Sequence, residues 1–398
     1  MTRSRSLSAR PLLAAAMAVL MAAPAAMAQG TIKIGNIVVT SGFLKGPGEP
    51  ALVAFDLAVA QINAAGGING KQIELIRFDT GSDPKQASVG ARKLIQDDGV
   101  LAVLGPFSSG ESRVALTAAD RHKVLMIPTA ASAPGLTDNS GAGWRLTEDE
   151  GKQFSRLLAA MKAKGEKMDS AEIVYISDEV VSNGAGTKLY PALMEMAGIK
   201  VGDPIAVQYK SFDMSAQVAR IMQAAPDLVA LAALPESAAK VIKELRRQGY
   251  QGRIVGSQIF SDPNVVELFG PEGEGTLMVA GFWKGRTEAS AAFNDDFLTA
   301  AATKGLRKLG AHHSDAQAYD GVFLLKQVME AAGVTGDADK IDAERAAVLA
   351  GMQGVRFSGI VGDDICFAGN DAELPGYVIE IKGGAWTQYA AAPADSCN

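Results

Sequence analysis

The chain has 398 residues, 48% of them hydrophobic, with 38 basic against 44 acidic side chains and a net charge of −6. Its length exceeds one ordinary core and points to two domains. A mildly acidic balance with no dense Lys/Arg cluster excludes a nucleic-acid partner bound through its phosphates.

Arg3, Arg5 and Arg10 precede an apolar stretch from Leu12 to Ala23, and Ala26-Met27-Ala28 offers a small-x-small cleavage site. No acidic residue occurs before Gln29. This is the pattern of a secretory signal peptide cleaved after Ala28, so a soluble product exported to the periplasm is expected. No later stretch is apolar for long enough to span a bilayer. The two cysteines, Cys366 and Cys397, lie near the C-terminus. In an oxidising compartment a structural disulfide between them would tie down the tail.

Taken in order, Thr31 to Val39 reads as a first strand, and a glycine-rich turn from Ser41 to Gly48 leads into a helix. Ala51, Phe55, Ala58 and Ile62 form one apolar face of that helix. Gln72 to Phe78 is a second strand, and Asp83 caps the next helix with Pro84 at its first position. Val100 to Leu104 is a continuous apolar run, a buried third strand. It opens onto Gly105-Pro106-Phe107-Ser108-Ser109-Gly110, after which a helix runs to His122 with Ser109 as its expected cap. Val124 to Ile127 is a fourth strand, and it opens onto a second hydroxyl-bearing loop from Pro128 to Pro134. Two such loops at strand carboxyl ends, with free helix N–H groups nearby, suit a carboxylate or other small anion. For a serine alone in that place, capping is the ordinary role.

A second α/β unit follows. Thr147 to Glu150 reads as a capping box for a helix to Met161, and strands are expected at Ala171–Ile176, Ile205–Tyr209, Asp227–Ala233 and Arg253–Gly256. Thr276 to Ala280 is apolar and leads the chain back to the first unit. Ser314, with Gln317 three residues on, caps a further helix, and strands at Val355–Ile360 and Tyr377–Ile381 complete the chain. The pattern predicts an α/β protein of two doubly wound parallel-sheet lobes. Residues 29–146 plus 281–353 form lobe 1, and 147–280 plus 354–398 form lobe 2. Three crossings between lobes make a hinge around a cleft.

The signal peptide, Ala64-Ala65-Gly66-Gly67-Ile68-Asn69-Gly70, Asp83-Pro84-Lys85-Gln86-Ala87, the Gly105 loop and the Pro128 loop occur in register. Together they resemble the leucine/isoleucine/valine-binding proteins of ABC importers, which have the type I periplasmic binding fold. The resemblance implies that Ser109, Ala130 and Ser132 hold a ligand carboxylate; separately, Phe43 and Phe107 either pack a small organic or aromatic acid or serve ordinary core and domain packing. It implies a monomer that closes around its ligand and docks on an inner-membrane ABC permease with its ATPase, without a cofactor. Departures from the pattern accompany the matches. Where amino-acid binders place a carboxylate for the ligand ammonium, this chain has Gln258. The second-lobe loop that usually projects an aromatic holds Ser182 and Asn183, with Asn183 the expected contact, and Leu234 stands where another aromatic is expected. An unpaired buried ammonium is costly, so a plain organic or aromatic acid competes with an amino acid as ligand. Asp178 and Glu236 are candidate substitutes for the missing carboxylate.

No enzyme is expected. The chain has no Gly-x-Ser-x-Gly elbow, no His-Glu-x-x-His and no phosphate-loop lysine motif. The adjacent His312 and His313 read as a solvated loop before a helix rather than a metal site. The same fold also serves soluble sensors that present a ligand to a membrane receptor, which is the alternative role.

Overall fold

The computed structural model describes residues 1, 2 and 30–392, so the body of the expected signal peptide and Cys397 lie outside the described residues. Strands β1 (Ile32–Val38), β2 (Ile73–Asp79), β3 (Ala102–Leu104) and β4 (Met126–Ile127) form one parallel sheet in the order β2-β1-β3-β4. Inward residues alternate between its two faces. Ile32 and Ile34 of β1 pack with Phe55, Phe297 and Leu325 on one side, while Ile37 packs with Ala87, Leu94 and Leu116 on the other. The order reverses between β1 and β3, and at such a switch point the loops after the strands splay apart and leave a crevice.

The second sheet contains β5 (Ser170–Ile176), β6 (Lys200–Val201), β7 (Ile205–Val207), β8 (Leu228–Ala232), β9 (Arg253–Gly256) and β10 (Thr276–Ala280), all in parallel pairings. A small hairpin of β11 (Phe367–Ala368) and β12 (Asp371–Ala372) precedes β13 (Gly376–Lys382) and β14 (Ala385–Ala392). These last two strands add antiparallel edges beside β10. The sheet order is β14-β13-β10-β9-β8-β5-β6, with β7 also on β5. Buried Val and Ile residues face helices on both sides of this sheet. No helix among the described residues is long and apolar enough to cross a membrane.

Several local expectations change. Val355–Ile360 is not a strand; only an isolated bridge joins Phe357 to Ile365. Phe357, Ile360 and Val361 are buried in the first core, which rewards packing of their side chains without a ladder partner. The chain therefore joins the second sheet only at β13, not at the crossing expected near Gly354. Thr276–Ala280 is itself a central strand of the second sheet. The helix expected from Thr147 begins at Glu150 with Asp149 as cap, because the Thr147 hydroxyl donates instead to Gln317 Oε1 at 2.8 Å. Likewise His312, not Ser314, caps the helix His313–Ala331. Cys366 is buried and disulfide-bonded.

One buried side chain links these parts. Arg145 is fully buried where the chain leaves the first lobe. Its Nε and Nη2 donate to the Asp371 carboxylate at 2.7 and 2.6 Å, and Nη1 donates to the carbonyls of Ala131 and Ala133, both at 2.9 Å. Nη2 also reaches Asp149 at 3.4 Å. All donor nitrogens are thus engaged, as a buried guanidinium requires. Replacing it with an apolar side chain strands the Asp371 carboxylate and two carbonyls. Arg145→Leu is expected to lower unfolding free energy by roughly 3–5 kcal/mol. Urea denaturation of the ligand-free protein measures this, and an unchanged midpoint would remove the role assigned to Arg145.

Candidate functional site

The two hydroxyl loops meet at the carboxyl edge of the first sheet. Gly105 has φ +88°, and a Cβ there would lie 2.1 Å from the Ile37 carbonyl oxygen, so only glycine lets the loop leave β3 so closely against β1. Its N–H donates to Ile127 O at 2.8 Å, and Thr129 N–H donates to Pro106 O at 3.0 Å, which ties the two loops together.

Ser108, not Ser109, is the cap of the helix Ser109–His122. Its hydroxyl accepts from Glu111 N, and the Glu111 carboxylate accepts from Ser108 N and Oγ in a reciprocal box. The correction has a physical reason: with Glu111 three residues on, Ser108 completes the box and Ser109 does not. Ser109 is released from capping. It stands at the first helical position beside Gly110, where backbone N–H groups lack intrahelical acceptors. Its Oγ accepts from Ala133 N at 3.1 Å, so it already touches the second loop.

That loop is shaped by Arg145. The carbonyls of Ala131 and Ala133 point to the guanidinium, while the Ser132 carbonyl points the other way and accepts from Glu150 N at 2.9 Å. Ala130 sits at φ 57°, turning the backbone towards the cleft.

A cavity of about 310 Å³ lies between the lobes. Ser109, Ala130, Ser132, Phe43, Phe107 and Gln258 all line it. Phe43 is half exposed at its mouth and meets Tyr209 of the opposite lobe edge-on, with ring centroids 6.4 Å apart. Phe107 is buried against Val39 and Leu44. Asn183 does not line the cavity. It lies in a short helix, Val180–Gly184, and its amide donates to Ser177 O at 3.0 Å, so the adjacent Ser182 faces inward instead. Leu234 lines the wall with Val181, Ala185 and Ala233, which makes that side aliphatic rather than aromatic.

The polar end is buried. Gln258 is 4% exposed; its Oε1 accepts from Gln153 Nε2 at 2.9 Å, and its Nε2 has no partner among the described residues. His312 and His313 also line the cavity, each buried, against the expectation of a solvated loop. They are enclosed because His312 caps its helix against Gln258 and His313 contacts Ser261. Burial, helped by Lys308, holds His312 down at about 3, and burial holds His313 well below its ordinary value, so both rings are neutral. No group of His, Cys, Asp and Glu side chains among the described residues could hold a metal ion.

Among the described residues, three carboxyls line the cavity and no lysine or arginine does. Asp178 reaches it, as considered above, and accepts from Tyr209 N at 2.9 Å; Glu236 lines a neighbouring cavity instead. Glu179 is taken up in capping, accepting from Val181 N, Ser182 N and Ser182 Oγ. Glu150 was not anticipated at all. It accepts from Tyr190 OH at 2.7 Å and Ser132 Oγ at 3.3 Å, with no cation beside it, and burial pushes its carboxyl up to about 7. In sequence it resembles any acidic residue in a first helical turn.

Two α/β lobes around such a cleft define the type I periplasmic binding fold. The sequence profile of the periplasmic binding protein family matches residues 31–385, and the chain belongs to that family. A leucine-, isoleucine-, valine-, threonine- and alanine-binding protein of Pseudomonas aeruginosa is 28% identical over 67% of this chain and 70% of its own length. A Leu/Ile/Val-binding protein homologue of Brucella abortus is 25% identical over 83% of this chain and 85% of its own. Among solved structures, a leucine-binding protein of Thermotoga maritima superposes with TM-score 0.76 at 22% identity, covering 91% of this chain and 99% of that one. A solute-binding protein of R. palustris in complex with benzoate does so with TM-score 0.78 at 22% identity, covering 92% and 98%.

The two serines separate capping from binding. Ser108→Ala is expected to lower ligand-free stability by about 1 kcal/mol through loss of the box. Ser109→Ala should instead weaken a bound carboxylate about tenfold or more, with a smaller effect on unfolding. Denaturation and equilibrium binding on both variants check this; the reverse pattern would make Ser109 structural.

Proposed function

We propose that the protein is an extracytoplasmic solute-binding protein of an ABC importer. It takes a small carboxylate-bearing ligand, an amino acid or a related organic or aromatic acid, into the interlobe cavity. The observation that carries this reading is the convergence of Ser109, Gly110, Ala130 and Ser132 on one cavity wall, offering hydroxyls and backbone at a helix N-terminus. An anion there needs no lysine or arginine, since oriented N–H dipoles and hydroxyls stabilise it. The relatives support the ligand class: one is named for aliphatic amino acids and another holds benzoate.

The wall facing this anion site belongs to the second lobe. Ser182, Ala233, Leu234 and Gln258 complete the enclosure only when the lobes approach. Ligand binding then favours the closed form by its contacts with that second wall, and a permease with its ATPase reads the closed form. In this reading residues 30–146 with 281–375 form one lobe, and 147–280 with 376–392 form the other. The protein acts in the periplasm, as a monomer, without a cofactor and without chemistry on its ligand.

Thermal denaturation of the ligand-stripped protein against amino acids and aliphatic or aromatic carboxylates tests the reading. A ligand at 100 times its dissociation constant stabilises by about 2.7 kcal/mol, which a melting curve resolves. At least one carboxylate-bearing compound should raise the midpoint in wild type and raise it clearly less in Ser109→Ala. No response to any of these compounds would overturn it.

A further inference from the structure

We propose that Glu150 is the specificity residue of this cavity and takes the α-ammonium of an amino-acid ligand, in place of the carboxylate that Gln258 lacks. The inference rests on the proposed carboxylate site and deepens it. An α-amino group is two bonds from its carboxyl carbon, so its partner must stand beside the anion site. Ser132 belongs to that site, and Glu150 Oε2 is 3.3 Å from its hydroxyl. Glu150 N also donates to Ser132 O at 2.9 Å, which holds the two residues together across the lobes.

The carboxyl is held ready. Tyr190 OH donates to its other oxygen at 2.7 Å, and Phe154 stacks on the Tyr190 ring with centroids 3.9 Å apart. No lysine or arginine lines the cavity, so a bound ammonium would be the first positive charge this side chain meets there. The other acids are occupied elsewhere. Asp149 caps its helix and contacts Arg145, Glu179 caps the helix Val180–Gly184, and Asp178 accepts from Tyr209 N. A ligand that is only an anion would have the helix N-terminus and hydroxyls but would also meet the carboxyls lining the cavity, whereas a zwitterion brings a positive charge to offset them.

The sign of the pH dependence separates these cases. The groups facing Glu150 are Tyr190, Ser132, Asp149 and Glu179, with His312 and His313 across the cavity; both histidines stay neutral above pH 6 because burial depresses them. Burial raises Glu150 from 4.5 to about 7, so part of the ligand-free population carries its proton near neutrality. An ammonium favours the ionised carboxylate. Binding then releases a proton, and affinity climbs as pH rises through about 7. A carboxylate ligand without an ammonium favours the protonated form, takes up a proton, and binds more weakly as pH rises.

The experiment is titration calorimetry of the ligand-stripped, full-length exported protein in buffers of different ionisation enthalpy. The probes are leucine, valine and phenylalanine, each paired with its deaminated counterpart: 4-methylpentanoate, 3-methylbutanoate and 3-phenylpropanoate. An amino acid is expected to bind more tightly than its counterpart, with net proton release. Glu150→Gln keeps an acceptor for Tyr190 and should weaken the amino acid by about tenfold to a hundredfold while leaving the counterpart unchanged or tighter. The proton count on wild type needs no variant and stands if Glu150→Gln folds poorly. Equal binding of both pair members, or proton uptake with the amino acid, overturns the assignment. If deaminated acids bind at least as tightly as their amino acids and Ser109→Ala weakens them, carboxylate capture survives and the role of Glu150 does not. If no carboxylate binds, both readings fall.

Discussion

A single buried cation organises the ligand-facing end of this molecule. Arg145 is enclosed where the chain first passes between lobes, and a guanidinium there is tolerable only if all its donors are met. Asp371 meets two of them from far along the chain, and Ala131 and Ala133 meet others through their carbonyls. Turning those two carbonyls to one side leaves the Ser132 carbonyl on the other, towards Glu150. The loop that carries the candidate anion site thus owes its shape to the satisfaction of a charge it does not contain. The same contacts fasten the C-terminal hairpin to the first lobe before the chain enters the second sheet.

The cleft combines two kinds of electrostatic site. On the first lobe, a helix N-terminus and hydroxyls offer a diffuse positive potential without formal charge. Against it stands a buried carboxyl held by two hydroxyls. Each is incomplete alone, since one lacks an anion and the other a cation. They adjoin where the Ser132 hydroxyl donates to Glu150 Oε2 at 3.3 Å. Around them the first-lobe wall carries Phe43 and Phe107 and the facing wall is aliphatic, with Val181 and Leu234.

The hinge region is the most polar part of the interior. Gln153, Gln258, Gln317, His312, His313 and Thr147 are all buried there. Their hydrogen bonds cross from one lobe to the other, as from Thr147 to Gln317 and from His312 Nε2 to the Gln258 carbonyl. Polar contacts of this kind exchange with water at little net cost, whereas apolar packing does not. The seam between the lobes is therefore built of amides and hydroxyls, and these add no apolar core of their own.

The sequence by itself determined the elements with strong local causes. Apolar runs marked β1, β3 and β8 because buried parallel strands leave no face for polar side chains. Asp83 and Pro84 marked a helix start because a cap and a fixed φ act within a few residues. The two loops, with Ser109, Ala130 and Ser132, were legible because strand ends and turn residues place them on one sheet edge. Other features were not decided locally. Which of two adjacent serines caps the helix depended on Glu111, and which of Ser182 and Asn183 faces the cavity depended on the pitch of a five-residue helix. Val355–Ile360 has the composition of a strand, yet no neighbouring strand offers it a ladder, and its apolar residues found the first core instead. Glu150 and the two histidines gained their character only from enclosure, because desolvation is set by what other segments bring against a side chain. Local pattern therefore marked the strands and the two hydroxyl loops; only the tertiary structure decided which charged groups line the cleft, since that depends on residues far apart in the chain.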